Sequence, residues 1–235
     1  MNEERKTPVW VWIGLGCLIP VVLVAVLIGA AGFWGYKTVK QVTSATPEER
    51  AERAMKILGC EKIPEGYYPA FSITVPFLAE FTMLGDKAPE FKGGKGDAVK
   101  ERGFFYVNSI KGNDDGKNLK DYVEGKAEAN EITSQGGLQV GHDLELIRRG
   151  QFPFGPGTLR YAANRGSVTA EGKHVKGLVT IFFVECPADT RVRMGAWFGP
   201  DPRPGEPAAS ADFSGSQADE KEIQAFLSHF SLCPK

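Results

Sequence analysis

The chain has 235 residues, with 28 Lys plus Arg against 29 Asp plus Glu and a formal net charge of −1. That balance leaves no basic excess to hold a polyanion, which argues against nucleic acid as a partner. With 42% hydrophobic and 24% charged residues the composition is globular rather than disordered.

Residues 1–8 form a short leader containing Arg5 and Lys6, and Val9 to Trp34 then runs without a single charge. As a helix this run would be roughly 39 Å long against a hydrocarbon core of about 30 Å, so 9–36 reads as a transmembrane helix. Trp10 and Trp12 at one end, with Phe33, Trp34 and Tyr36 at the other, form the aromatic belts expected at the two interfaces. Ala25 with Gly29, and Ala31 with Gly35, have the four-residue spacing that allows close helix approach, so a weak homodimer through this helix is one expectation.

An uncleaved signal anchor, a signal peptide cleaved after Gly29-Ala30-Ala31-Gly32 and a lipoprotein signal ending at Cys17 all compete for this segment. The apolar run is longer than a signal-peptide core and continues past Cys17, which favours the anchor. Flanking charge pulls two ways. Arg5 and Lys6 would hold the N-terminus inside, whereas Lys37, Lys40, Arg50, Arg53 and Lys56 favour a cytoplasmic C-terminal side. A short basic leader before an uncleaved apolar run resembles a bacterial signal anchor, so the expected location of the domain is extracytoplasmic, on the periplasmic side of a single-pass membrane protein.

Residues 37–62 read as a juxtamembrane linker and amphipathic helix. Thr46-Pro47-Glu48-Glu49 is a helix start with Thr as N-cap, Pro at the first position and Glu49 closing a capping box. Ala51, Ala54, Met55 and Leu58 follow at helical spacing and Gly59 supplies the stop. From residue 63 to 235 the pattern is that of a globular α+β domain. Phe71, Ile73 and Val75, then Ala79, Phe81 and Met83, alternate with polar residues as strands do, and Phe104 to Ile110 is a third strand.

Between the second and third strands, Glu90 to Asp97 is Gly- and Lys-rich. No Ser or Thr follows Gly94-Lys95, so it reads as a loop rather than a phosphate cradle. Asn113-Asp114-Asp115-Gly116 reads as a turn. Tyr122 stands where a calcium loop needs Glu, and a short helix face of Leu119, Tyr122 and Val123 ends near Gly125.

Further on, Leu144 to Arg149, Leu159 to Ala163, Val175 to Cys186 and Arg191 to Phe198 are strand candidates. Gly177 to Val184 is apolar on both faces, as a central covered strand is. Its partner sets Val192, Met194, Ala196 and Phe198 against Arg191, Arg193 and Trp197, which predicts one covered face and makes those last three the candidates to face a ligand. Gly199 to Pro207 is a Pro-rich surface loop, and Ser216 is the expected cap of a final helix with Ile223, Phe226, Leu227 and Phe230 as its apolar stripe.

The sum is an antiparallel sheet of about seven strands packed with three helices behind one membrane helix. Among Cys60, Cys186 and Cys233 no CxxC occurs. In an oxidising compartment Cys186 with Cys233 is the preferred disulfide, and three free thiols are the alternative. His142, His174 and His229 share no metal-ligand spacing, and no nucleophile elbow or other catalytic motif is present, so no catalytic residue, metal or cofactor is assigned.

Gly66-Tyr67-Tyr68 followed by Phe71-Ser72-Ile73-Thr74-Val75-Pro76, with the closing helix Asp219 to Phe230 and a short final strand, resembles PsbP/Mog1-like domains. The chain also resembles single-pass bacterial envelope proteins carrying an "ILG…PEGYY" segment after their anchor. The first resemblance implies a non-catalytic accessory or partner-binding module. The expected function is therefore a membrane-tethered binding module acting on an envelope protein partner. The alternative is an anchored enzyme or small-ligand receptor with a pocket on the sheet face.

Overall fold

The computed structural model describes residues 45–90, 97–110, 114–128, 138–141, 143–170, 173–187 and 189–233. The expected membrane helix with its aromatic belts and dimer spacing, the Gly-Lys loop around Lys95, and His142 lie outside these residues. Among the described residues no helix is long and apolar enough to cross a membrane. Ala45 to Lys235 forms one compact unit, so the capped helix belongs to it.

That helix, α1 (Pro47–Leu58), begins with the capping box in place. Thr46 accepts from the Glu49 N–H, and the Glu49 carboxylate accepts from the Thr46 N–H. Gly59 ends it in the left-handed region at φ 63°, a conformation that spares glycine the Cβ clash other residues meet. Ala54 and Leu58 are fully buried in the domain core.

Eight antiparallel strands follow: β1 (Tyr68–Val75), β2 (Ala79–Gly85), β3 (Gly103–Ile110), β4 (Leu138–Val140), β5 (Glu145–Phe154), β6 (Gly157–Ala170), β7 (Lys173–Glu185) and β8 (Arg191–Gly199). Seven are full strands, and the eighth, β4, is three residues long. Two more helices complete the described unit, α2 (Asp114–Val123) and α3 (Glu220–Leu227). The order in the sheet is β1-β2-β3-β8-β7-β6, with β4 and β5 both on the outer edge of β6. Two meanders therefore meet at the β3–β8 pair, and the chain crosses between them through α2.

Helices lie on both faces. One core joins α1, α3 and the tail through Cys233 to Leu84, Phe104, Tyr106, Leu159, Phe182 and Trp197. The other joins α2, Ala98 and Val99 to Met83, Phe105, Val107, Val179, Ile181 and Phe198. The apolar double-sided run of β7 is covered on both sides, as its sequence predicts. Strand β8 differs from expectation: it is buried on both faces, because β3 and β7 flank it and α3 lies over the Trp197 side. Gly195 allows this packing, since a Cβ there would run into the Phe105 carbonyl and the Phe182 ring.

Three local differences follow from side-chain hydrogen bonding. The cap of α3 is Asp219, which accepts from the Lys221 N–H. Ser216 instead closes the preceding turn by donating to the Phe213 carbonyl. Asp114 and Gly116, expected in a turn, already belong to α2. Among the described residues the tail after α3 forms no strand. It is pinned by the Ser231 N–H to the Leu58 carbonyl and by a disulfide joining Cys233 to Cys186, with Cα atoms 5.5 Å apart.

Candidate functional site

The three expected ligand-facing residues share one sheet face, and that face is filled. Trp197 is 7% exposed, lies flat on Phe226 with centroids 4.3 Å apart, and donates its indole N–H to the Tyr67 hydroxyl at 2.6 Å. Arg193 is 4% exposed and donates to the Asp189 carboxylate, which also accepts from the Arg191 N–H. Burial pushes the Asp189 carboxyl up, but the Arg191 N–H and the Arg193 guanidinium outweigh it and hold the group below the ordinary range. Beside them Asn108, the cross-strand neighbour of Arg193, donates to Glu80. These polar groups join the middle strands to one another.

An opening lies on β5, β6 and β7, beside the Gly199 end of β8. A cleft of about 360 Å³ is lined by Asp143, Glu145, Arg165, Lys176 and Asp201, with Gly166, Gly177, Pro204 and Gly205. Its geometry starts from β6. Register pairs Arg165 with Glu145 on one side and Leu178 on the other, then Gly166 with Gly177, then Ser167 with Lys176. The opposed glycines let neighbouring chain approach closely, since a Cβ on Gly177 would strike the Gly199 carbonyl and one on Gly166 the Leu144 side chain.

Arg165 forms one wall. Its guanidinium lies over the Phe213 ring at 5.3 Å. It donates from Nε to Asp201 at 2.7 Å and from its terminal nitrogens to the Glu206 and Arg203 carbonyls, with Glu145 at 3.6 Å. One planar fork thus fixes the Pro-rich loop in place. Asp143 forms the opposite wall, accepting from the Ser167 hydroxyl at 2.6 Å and from the Ser167 N–H at 3.2 Å. The hydroxyl is the main cause of an Asp143 carboxyl held below its ordinary range. Three carboxylates therefore face two cations, of which Lys176 is exposed.

At the opposite end of the sheet the tip of the β1–β2 hairpin is apolar. Val75 and Ala79 are paired, so Pro76-Phe77-Leu78 is a three-residue hairpin loop closed by the Leu78 N–H to the Val75 carbonyl at 3.1 Å. Phe77 has φ 66° and is 90% exposed, while Leu78 is 53% exposed. Ile110, at the end of β3, donates its N–H to the Leu78 carbonyl and is itself 47% exposed. Arg191 is its cross-strand neighbour on β8. Strand β8 runs from this tip, at Arg191, to the cleft end, at Gly199. That separation is eight steps, or about 26 Å at 3.3 Å per residue.

Neither feature is marked by a motif. The cleft residues come from four separate stretches of chain. The tip does carry a local signal: a turn directly after Pro76 that holds two bulky apolar residues in place of Gly, Asn or Asp. Comparison with protein-family models, with curated proteins and with solved structures finds no match to this chain.

Proposed function

We propose that the chain is a membrane-tethered, non-catalytic binding or accessory module on the periplasmic side, holding a segment of an envelope protein in the charged cleft. The observation that carries this reading is the cleft itself, whose walls are set before any partner arrives. Arg165 is committed to Asp201 and to two loop carbonyls, and Asp143 to Ser167. Groups so engaged offer a fixed pattern of charge with little ordering cost on binding, which suits recognition. They are poorly free to exchange protons with a substrate. A polypeptide segment carrying both signs of charge fits three carboxylates beside two cations. The Cys186–Cys233 disulfide supports an oxidising compartment, and the resemblance to accessory domains supports the same role.

The test is site-specific photocrosslinking in intact membranes from a probe at position 176, with position 222 on the exposed side of α3 as control. The expected result is one discrete protein adduct, reduced about tenfold by Glu145→Lys, as reversal of a contact charge does. Equal labelling at both positions, or an adduct indifferent to Glu145→Lys, would overturn the reading.

A further inference from the structure

We propose that the hairpin tip formed by Phe77 and Leu78, flanked by Ile110 and Arg191, docks into the headgroup and upper acyl zone of the lipid bilayer that holds the tether. The inference rests on the membrane-tether reading and goes beyond it by assigning a lipid-contacting surface to the folded unit.

Four observations converge on lipid. Five large apolar side chains of the described unit are conspicuously exposed, and three of them, Phe77, Leu78 and Ile110, sit together at one end of the sheet. A protein docking face is typically a broad patch with an apolar centre and a polar rim. This one is a narrow projection, shaped to enter a soft surface rather than to cover a flat one.

The second observation is backbone conformation. Val75 to Leu78 is a turn with Pro at its second position and positive φ at its third, where Gly or Asn is favoured. Phe77 occupies that strained position and gains almost no burial in return, so its folding role does not account for it.

Reach is the third. Nine residues, Lys37 to Ala45, separate Tyr36 from the cap of α1, and fully extended they span at most about 32 Å. A tethered unit therefore never leaves the neighbourhood of the bilayer, and a contact of two or three side chains suffices when it is intramolecular.

Polarity is the fourth. Arg191 stands beside the tip, where an anionic headgroup would meet it; of the nearby carboxylates Asp189 is ion-paired with Arg193, whereas Glu80, hydrogen-bonded by the neutral Asn108 amide, keeps its charge. The charged cleft lies at the far end of β8, so a bilayer-seated tip points the cleft away from the membrane.

The experiment places a diazirine-bearing phenylalanine analogue at position 77 of the full chain, reconstituted in phosphatidylcholine–phosphatidylglycerol vesicles and also examined in native membranes. Positions 68 and 146, exposed but elsewhere, are the controls. Lipid adducts at position 77 should exceed those at the controls about tenfold, and Leu78→Asp should cut them about tenfold by removing half of the inserted apolar surface. A protein adduct dominating in native membranes would show that a protein covers the tip, and equal lipid labelling at all three positions would show that nothing does. Either outcome overturns the proposal. Alkaline extraction separates the two readings: release of the chain from the vesicles removes the tether and the proposal with it, whereas retention without lipid adducts overturns the tip alone.

Discussion

At the scale of single residues, Phe77 is the one non-glycine residue with positive φ among the described residues. A left-handed backbone costs an L-residue about 1–2 kcal/mol. Its side chain, 90% exposed, recovers little of that through burial. Phe77→Asn should stabilise the fold by about 0.5–1 kcal/mol, because Asn tolerates this region without the backbone entropy that Gly adds. In a unit of this size that raises Tm by roughly 1–4 °C. The same change should abolish lipid labelling from a probe at position 78. Thermal melts of the two proteins side by side check the first half, and a Tm that falls would mean Phe77 packs against something that its exposure does not reveal. A substitution that helps the fold and harms the contact is the signature of a residue kept for what it touches outside the fold.

At the scale of elements, the disulfide does the work of a missing final strand. It closes a 47-residue separation and ties the segment after α3 to the end of β7. That segment places Phe230, Leu232 and Cys233 in the core shared by α1 and α3. Chain entropy assigns a loop of this length about 4 kcal/mol. Cys233→Ser should therefore lower stability by about 2–4 kcal/mol and Tm by roughly 5–15 °C. Dithiothreitol should lower the Tm of the unsubstituted protein by a similar amount and leave that of the variant unchanged; a reductant-insensitive Tm would show that the bridge does not constrain the unfolded chain.

The elements also show which signals were local. Thr46, Pro47 and Glu49 specify the start of α1 within four residues, and the two-sided apolar run of β7 announces an inner strand. Strand β5 was half legible, because Gly150 and Pro153 interrupt its pattern. An edge strand tolerates both, since its outer N–H groups need no ladder partner. The arginines of β8 suggest a solvent face, but Arg193 is buried beside β3, which is 81 or more positions earlier in the chain. The cleft was illegible for the same reason: Asp143, Arg165 and Asp201 meet only through register and loop docking.

At the scale of the whole molecule, the strength of the tip has to be judged together with the tether. Burying a Phe and a Leu side chain contributes about 1.5–3 kcal/mol each at most. Interfacial insertion captures part of that, so about 4 kcal/mol in total corresponds to half-saturation near millimolar lipid. Unit 45–235 alone, which carries both of its cores and its disulfide, should then bind vesicles only at millimolar lipid. One basic residue near an anionic surface is worth about 1 kcal/mol, so phosphatidylglycerol should improve binding about fivefold through Arg191. If the chain is tethered as proposed, a short tether would supply an effective concentration that is also of millimolar order and would put the tip close to balance between docked and free. Near balance, losing either side chain shifts the population strongly, whereas a much tighter contact would hide single substitutions. Vesicle co-sedimentation of 45–235 against lipid concentration measures this directly. Half-binding at micromolar lipid would require a far larger membrane surface than Phe77, Leu78 and Ile110 provide, and no binding at about 10 mM lipid would leave the tether nothing to amplify. Between those limits the proposed tether and the proposed tip would each be too weak to act alone, and a membrane contact would need both.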